Sequence, residues 1–147
     1  KNASLIHRLP AKLPKAVFRY VEHELYNYDH NLELIKQFQD DVIYAQPTKE
    51  VVPNVGYISD PTSKKVIKLV SSDFLLKMLD RINRINRALQ RLSEDHRTIF
   101  ELKYHQGLKW QQVCEEMPVA ERTYFRLRRE LVYMVALELG LVNRDGG

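Results

Sequence analysis

The sequence predicts an all-α fold, and three observations carry that prediction. Leu75, Met78, Ile82, Ile85, Leu89 and Leu92 recur at alternating spacings of three and four residues, the period of a helix seam. Tyr124, Leu127, Leu131 and Met134 repeat that period near the end of the chain. Between them, Leu92 to Gly140 reads as a capped helix, a Gly-containing loop, a short helix, a tight turn and a long Arg-bearing helix. That order is the layout of a helix-turn-helix.

The composition suits one domain or two small ones. The chain has 147 residues, 44% of them hydrophobic and 29% charged, an ordinary globular balance. A chain of this size buries roughly 70% of its extended surface. One cysteine excludes an intrachain disulfide and fits a reducing cytoplasm. No run of 18 apolar residues exists to span a bilayer, no secretory signal is read, and the opening at Lys1 rather than Met fits a trimmed chain.

The net charge of +4 is unevenly placed. Residues 92–147 hold 8 Lys/Arg against 9 Asp/Glu, and residues 1–91 hold 15 against 10. The C-terminal segment is therefore not basic overall, and its positive charge is focused on one helix. Focused charge favours directed recognition over indiscriminate phosphate binding.

Each element is read from local signals. Residues 1–15 carry Lys1, Arg8, Lys12 and Lys15 with no acid, the pattern of a basic arm along DNA or of a frayed terminus. Residues 15–29 and 30–45 read as two helices, on Val17, Val21, Leu25 and Tyr28, then Leu34, Phe38 and Val42. Asn27 to Asn31 is the expected break. Residues 46–61, with Pro47, Pro53, Gly56 and Pro61, read as a loop, although Val51, Val52, Val55 and Ile58 have strand character. Asp60-Pro61 fits an N-cap followed by Pro at the first helical position.

Residues 62–91 read as a long amphipathic linking helix. Its apolar seam packs either within the chain or against a second copy. Arg81, Arg84, Arg87 and Arg91 lie on the opposite side, and no acidic residue falls between Arg81 and Arg91. The row is either a solvated face or a set of phosphate contacts. Ser93 then caps the next helix, with Glu94 and Asp95 favouring its positive end. Ile99, Leu102 and Tyr104 support the helix-turn-helix. Trp110, Val113 and Met117 form the buried side of the short helix, with Cys114 also buried, and Pro118 ends it. Gly140 stops the last helix, and 143–147 is expected to be a disordered tail.

The last helix, 120–139, carries the candidate binding residues. At about 100° per residue, Arg122, Arg126 and Arg129 share a face roughly opposite the apolar one, with Phe125 beside them. Guanidiniums can pair bidentately with guanine edges, and an apolar ring can meet a thymine methyl. Glu121, Thr123 and Arg128 flank this set. Lys109, Gln111, Arg81, Arg84 and Arg87 are candidate phosphate contacts.

The C-terminal fifty residues resemble region 4 of the sigma-70 type sigma factors. The matching residues are Leu92, Glu101, Leu102, Lys103, Tyr104, Gly107, Trp110, Glu115, Glu116, Val119, Thr123 and Arg126. The resemblance implies a last helix that enters the major groove of a promoter element and a surface that can touch RNA polymerase. Two positions depart from the pattern. Pro118 stands where the turn usually has Gly, and Ala120 stands where Ser or Thr normally caps the helix. Ala has no capping oxygen, so the departures bear on docking register more than on fold.

No segment looks like sigma region 2. Over residues 15 to 140 the layout instead resembles the ArpU/RinA family of phage late-gene transcription regulators. The basis is the Tyr-rich opening (Tyr20, Tyr26, Tyr28), the loop, and the ending from Glu121 to Gly140. The resemblance implies a sequence-specific DNA-binding regulator, an activator of phage late or packaging genes, acting in the bacterial cytoplasm. The implied organisation is 1–61 N-terminal helical region, 62–91 linking helix, 92–142 helix-turn-helix and 143–147 tail. Double-stranded DNA is the expected partner, RNA polymerase and a second copy are further candidates, and no membrane partner is expected. Two rivals share these features: a small-terminase-like DNA-packaging recognition subunit, and a polymerase-binding module without DNA selectivity.

Enzymatic chemistry is not expected. Neither G-x-x-x-x-G-K-[ST] nor G-x-G-x-x-G occurs. His7, His23, His30, His96 and His105 lack zinc spacing, Cys114 has no Cys partner, and Asp40-Asp41 reads as a solvated pair. No catalytic residue, metal or cofactor is assigned.

Overall fold

The computed structural model describes residues 12–51 and 61–143, with side chains placed over 12–40 and 73–143. Every regular element among them is helical. α1 is Lys15–Tyr26, α2 Tyr28–Val51, α3 Pro61–Arg91 and α4 Glu94–Ile99. A π-helical segment, Phe100–His105, continues α4, and α5 (Trp110–Glu116) and α6 (Glu121–Glu138) complete the order. This is the all-α fold that the periodicities predict.

One expectation needs correction. The loop read over 46–61 does not begin at residue 46, because α2 runs on to Val51 and takes Pro47 into its interior. Proline removes one backbone hydrogen bond there, a single loss within a cooperative helix of 24 residues. The remainder of that loop, its Asp60 cap and its strand-like Val52, Val55 and Ile58 lie outside the described residues. So do the arm up to residue 11 and the tail from 144. Pro61 is the first residue of α3, as Pro at that position favours. The break between the first two helices narrows to Asn27, whose N–H donates to the His23 carbonyl at 3.1 Å.

The chain divides into two units, and the division falls within α2 and within α3. One unit comprises 1–29 and 83–147, the other 30–82. In the second unit, Ile35, Met78 and Ile82 are buried. Phe38 meets Phe74 edge-on at 5.9 Å, and Leu76 is exposed.

The first unit is organised around α6. Its C-terminal half, Leu131 to Ala136, is buried at six consecutive residues, so that half is surrounded on every side. α1, α4 and α5 all pack on α6. The core joins Val21 and Leu25 of α1, Ile85 and Ala88 of α3, Ile99, Val113, and Tyr124, Leu127 and Leu131 of α6. The seam residues of α3 within this unit are thus packed inside the chain.

The helix ends have explicit partners. Ser93 is the N-cap of α4 and forms a capping box with His96. Gly140, at φ +78°, closes α6 in a Schellman motif. Its N–H donates to the Leu137 carbonyl at 3.1 Å, and the Leu141 N–H donates to the Ala136 carbonyl at 2.9 Å. Arg97 Nη1 donates to the Leu89 and Leu92 carbonyls at the end of α3, at 2.9 and 2.6 Å.

The π-helical segment is a feature that the apolar spacing does not announce. At α-helical pitch Tyr104 would lie about 140° round the axis from Ile99. The wider turn, marked by the Gln106 N–H donating to the Glu101 carbonyl at 3.0 Å, brings residues five apart towards one side. Ile99 and Tyr104 are both buried. Gly107, at φ +76°, then turns the chain into α5.

Leu131 has no exposed surface and sits where α6 is enclosed. Leu131→Ala is expected to destabilise the chain by about 2–5 kcal/mol, read as a lower denaturant midpoint at unchanged slope.

Candidate nucleic-acid interface

The two halves of α6 have different surroundings. Its second half is enclosed, and its first half is amphipathic. Tyr124 and Leu127 point into the core, while Glu121, Arg122, Arg126 and Arg129 are exposed. Ala120 precedes the helix in extended geometry with no side-chain cap, as its missing oxygen requires. α5 reaches α6 through residues 117–120, where Val119 N–H donates to the Cys114 carbonyl at 3.3 Å. Trp110 of α5 lies 5.7 Å from the Phe125 ring of α6.

The candidate residues divide into outward and inward groups. Arg122 and Arg129 are exposed, and among the described residues neither has an ion pair or hydrogen bond. Arg126 is exposed but tethered, with Nη1 3.1 Å from Glu130 Oε2. Lys109 and Gln111 are exposed at the start of α5. The Lys109 N–H donates to Gln112 Oε1 at 3.0 Å. Thr123 is half-buried.

Two candidates turn inward, although the spacing argument places Phe125 beside the exposed arginines. Phe125 packs against the core, edge-on to Tyr124 at 4.9 Å. Arg128 donates from Nε to Glu22 Oε2 at 3.1 Å and from Nη2 to Glu22 Oε1 at 3.3 Å. Its guanidinium also lies over the Phe18 ring, 4.8 Å from the centroid. Burial works against this charge, but the hydrogen bond and charge of Glu22 outweigh it and raise the pKa of Arg128. Tyr104 donates its hydroxyl to the same carboxylate at 2.6 Å. Burial, followed by the charge of Glu22, pushes the Tyr104 pKa well up. Glu22 thus joins α1, the π-helical segment and α6, and the first-unit aromatics pack around that junction.

The arginine row of α3 is also engaged inside the chain. Arg91 Nη1 meets Glu138 Oε2 at 2.6 Å, Arg87 Nε meets Glu138 Oε1 at 3.6 Å, and Arg84 Nη1 donates to the Glu138 carbonyl at 3.0 Å. Three guanidiniums gather at the C-terminus of α6, where the helix dipole favours cations. Along the helix axis Glu138 is about 24 Å from Arg122 and about 14 Å from Arg129, so this row lies apart from the exposed arginines. Arg81 lies in the other unit.

His96, which the sequence leaves without a role, is buried beneath this face. The Ser93 N–H donates to His96 Nδ1 at 3.3 Å, and His96 Nε2 lies 2.8 Å from Glu130 Oε1. Lys103, at the basic position of the region-4-like pattern, donates to the Tyr26 hydroxyl at 2.8 Å. It sits 5.3 and 5.2 Å from the Tyr26 and Tyr104 ring centroids. Cys114 is half-buried rather than fully buried. Burial, then the nearby charge of Glu121, pushes its thiol pKa up, away from nucleophilic use.

Fold and site together define an all-helical protein that holds a half-exposed arginine-bearing helix on a packed base. The chain belongs to the DUF722 family, proteins of unknown function, whose family model matches residues 23–136. The match begins in α1 and ends in the enclosed half of α6. No curated protein and no solved structure matches the chain. No helix among the described residues is long and apolar enough to cross a membrane, and no group of His, Cys, Asp or Glu among them could hold a metal ion.

His105 gives a pH-dependent contact. It pairs through Nδ1 with Asp29, and the hydrogen bond and charge of Asp29, with Glu101, raise its pKa above the ordinary 6.5. A raised histidine pKa stabilises the folded chain fully below the unfolded value and loses that contribution as pH rises through the folded one. The stability difference between the native chain and His105→Gln is therefore expected to be largest below pH 6.5 and to shrink above it. Denaturant midpoints taken across that range check it; a difference that grows with pH would contradict it.

Proposed function

We propose that this protein is a sequence-specific DNA-binding transcription regulator. Residues 92–142 act as a helix-turn-helix in which α6 reads the major groove with the exposed face of its first half. The observation that carries the reading is a contrast within α6. Arg122 and Arg129 are exposed and have no partner among the described residues, while Leu131 to Ala136 in the second half are all buried. An ordinary solvated surface helix exposes one face along its whole length. Here the exposed face is confined to the end nearest the short helix and turn, where a major-groove reader makes its base contacts.

The roles follow from the placements. Arg122 and Arg129 are available to guanine edges or phosphates. Arg126 offers part of its guanidinium, and Glu121 can accept from a cytosine amino group. Lys109 and Gln111 lie on α5, where a first helix crosses the backbone. Arg128 and Phe125 support the helix from inside. Glu115, Glu116 and Glu121 are exposed nearby and oppose loose phosphate binding, so the face favours selectivity over bulk affinity. Arg84, Arg87 and Arg91 act as a clamp on α6, with at most a secondary role at phosphates.

The resemblance to region 4 and to the ArpU/RinA regulators gives this reading its setting. The protein acts on promoter-like duplex DNA in the cytoplasm of a bacterial host, as an activator of phage late or packaging genes. RNA polymerase is a further partner, and a second copy can supply a second reading helix.

The test is selection of bound fragments from genomic DNA near physiological salt. A single enriched motif is expected, and its absence would sink the reading. Arg126→Ala should weaken binding to that motif by about 1–3 kcal/mol, and each of Arg122→Ala and Arg129→Ala should either do likewise or lower the salt slope by about one. Arg91→Ala should lower the Tm while leaving the preference for the motif in place.

A further inference from the structure

We propose that Glu130 is a positioning residue that aims Arg126, and that buried His96 anchors Glu130 for that purpose. The consequence for DNA rests on the reading above, whereas the positioning is a property of the free protein.

His96 Nδ1 accepts from the Ser93 N–H at 3.3 Å and lies 2.7 Å from Ser93 Oγ, and on the other side a carboxylate can only accept, so the ring presents a hydrogen on Nε2. Nε2 therefore donates to Glu130 Oε1 at 2.8 Å. The imidazole side chain is 3% exposed and the carboxylate 13%, so this bond is shielded from competing water. Glu130 faces outward as well, where Arg126 Nη1 donates to Oε1 at 3.3 Å and to Oε2 at 3.1 Å. The chain of contacts runs from the cap of α4, through a buried ring, to the exposed face of α6.

An isolated Arg-Glu pair four apart on a helix is weak, and Arg before Glu is the less favourable order. The difference here is that the carboxylate is already held from below. Arg126 then orders against a fixed partner and not a mobile one. Only Nη1 is engaged. Nε and Nη2 form the opposite edge of the guanidinium, and neither has a hydrogen bond among the described residues. Two adjacent donors on one edge are what guanine O6 and N7 accept. The arrangement presents that edge in one orientation and tempers the charge that would otherwise draw Arg126 to any phosphate.

Glu130→Gln keeps the side-chain size and removes the charge. In the free 147-residue chain, nitrogen-15 relaxation should show a restricted Arg126 Nε that becomes mobile in E130Q; equal mobility in both overturns the proposal. The histidine nitrogen shifts should place the His96 hydrogen on Nε2, and the opposite tautomer overturns the anchoring. On DNA, the probes are the duplex enriched from genomic fragments and a scrambled duplex of the same length. E130Q should lower the ratio of the two affinities roughly tenfold and leave it unchanged in an Arg126→Ala background. A ratio change that persists without Arg126 overturns the proposal. If the native chain prefers neither duplex, the DNA reading itself fails, and the relaxation measurement still decides the positioning.

Discussion

The structure of the first unit depends on the burial of α6 from Leu131 to Ala136. Six consecutive buried residues leave that stretch no face for solvent, so neighbours are required all round it. α1, α4 and α5 meet the requirement, and the last turns of α3 reach the end of α6 through Glu138. Short helices such as α4 and α5 are marginal alone. Their stability comes from the apolar surface that α6 offers them. The same enclosure fixes which part of α6 remains outside.

Four carboxylates then set the details, each by joining parts distant in sequence. Glu22 gathers Tyr104 and Arg128, Glu138 gathers Arg87 and Arg91, Glu130 links His96 to Arg126, and Asp29 holds His105. Most of these acids are partly shielded, where a partner is worth more than on an open surface. Their effect is to assign each arginine a job. Arg87, Arg91 and Arg128 hold the scaffold, Arg126 is held by Glu130 but stays exposed, and Arg122 and Arg129 remain for something outside the chain. In the proposed DNA-reading role, selectivity comes from how few basic groups are left over.

Local signals made much of this fold legible in advance. The spacing of Tyr124, Leu127, Leu131 and Met134 marked the buried side of α6, and all four are buried. Ser93, Pro61 and Gly140 announced helix ends through capping oxygen, fixed φ and positive φ. What stayed hidden depended on partners far along the chain. Arg87 and Arg91 have no acid close by in sequence because theirs is Glu138, 47 residues beyond Arg91. Arg128 is matched by Glu22, 106 residues away. Helical phase placed Phe125 beside the exposed set, but phase cannot say how much of a helix flank a neighbouring helix covers; Arg128, only about 40° round from Tyr124, was at the edge of the buried face by the same phase. The π-helical segment likewise reflects tertiary demand for Tyr104, and Pro47 within α2 shows one residue's preference overruled by its neighbours. The sequence has a signal for His96, at the third position after a capping serine, although the usual partner there is Glu or Gln.

The packing of Trp110 against Phe125 has an optical consequence. Trp110 is the chain's one tryptophan, and it stands at the junction of α5 with α6, half-buried and 5.7 Å from its aromatic neighbour. Indole emission excited at the red edge, away from the eight tyrosines, therefore comes from that junction alone. Quenchers in solvent reach the ring only as far as the two helices allow, so the molecule carries its own fluorophore at the place where its short helix meets its long one.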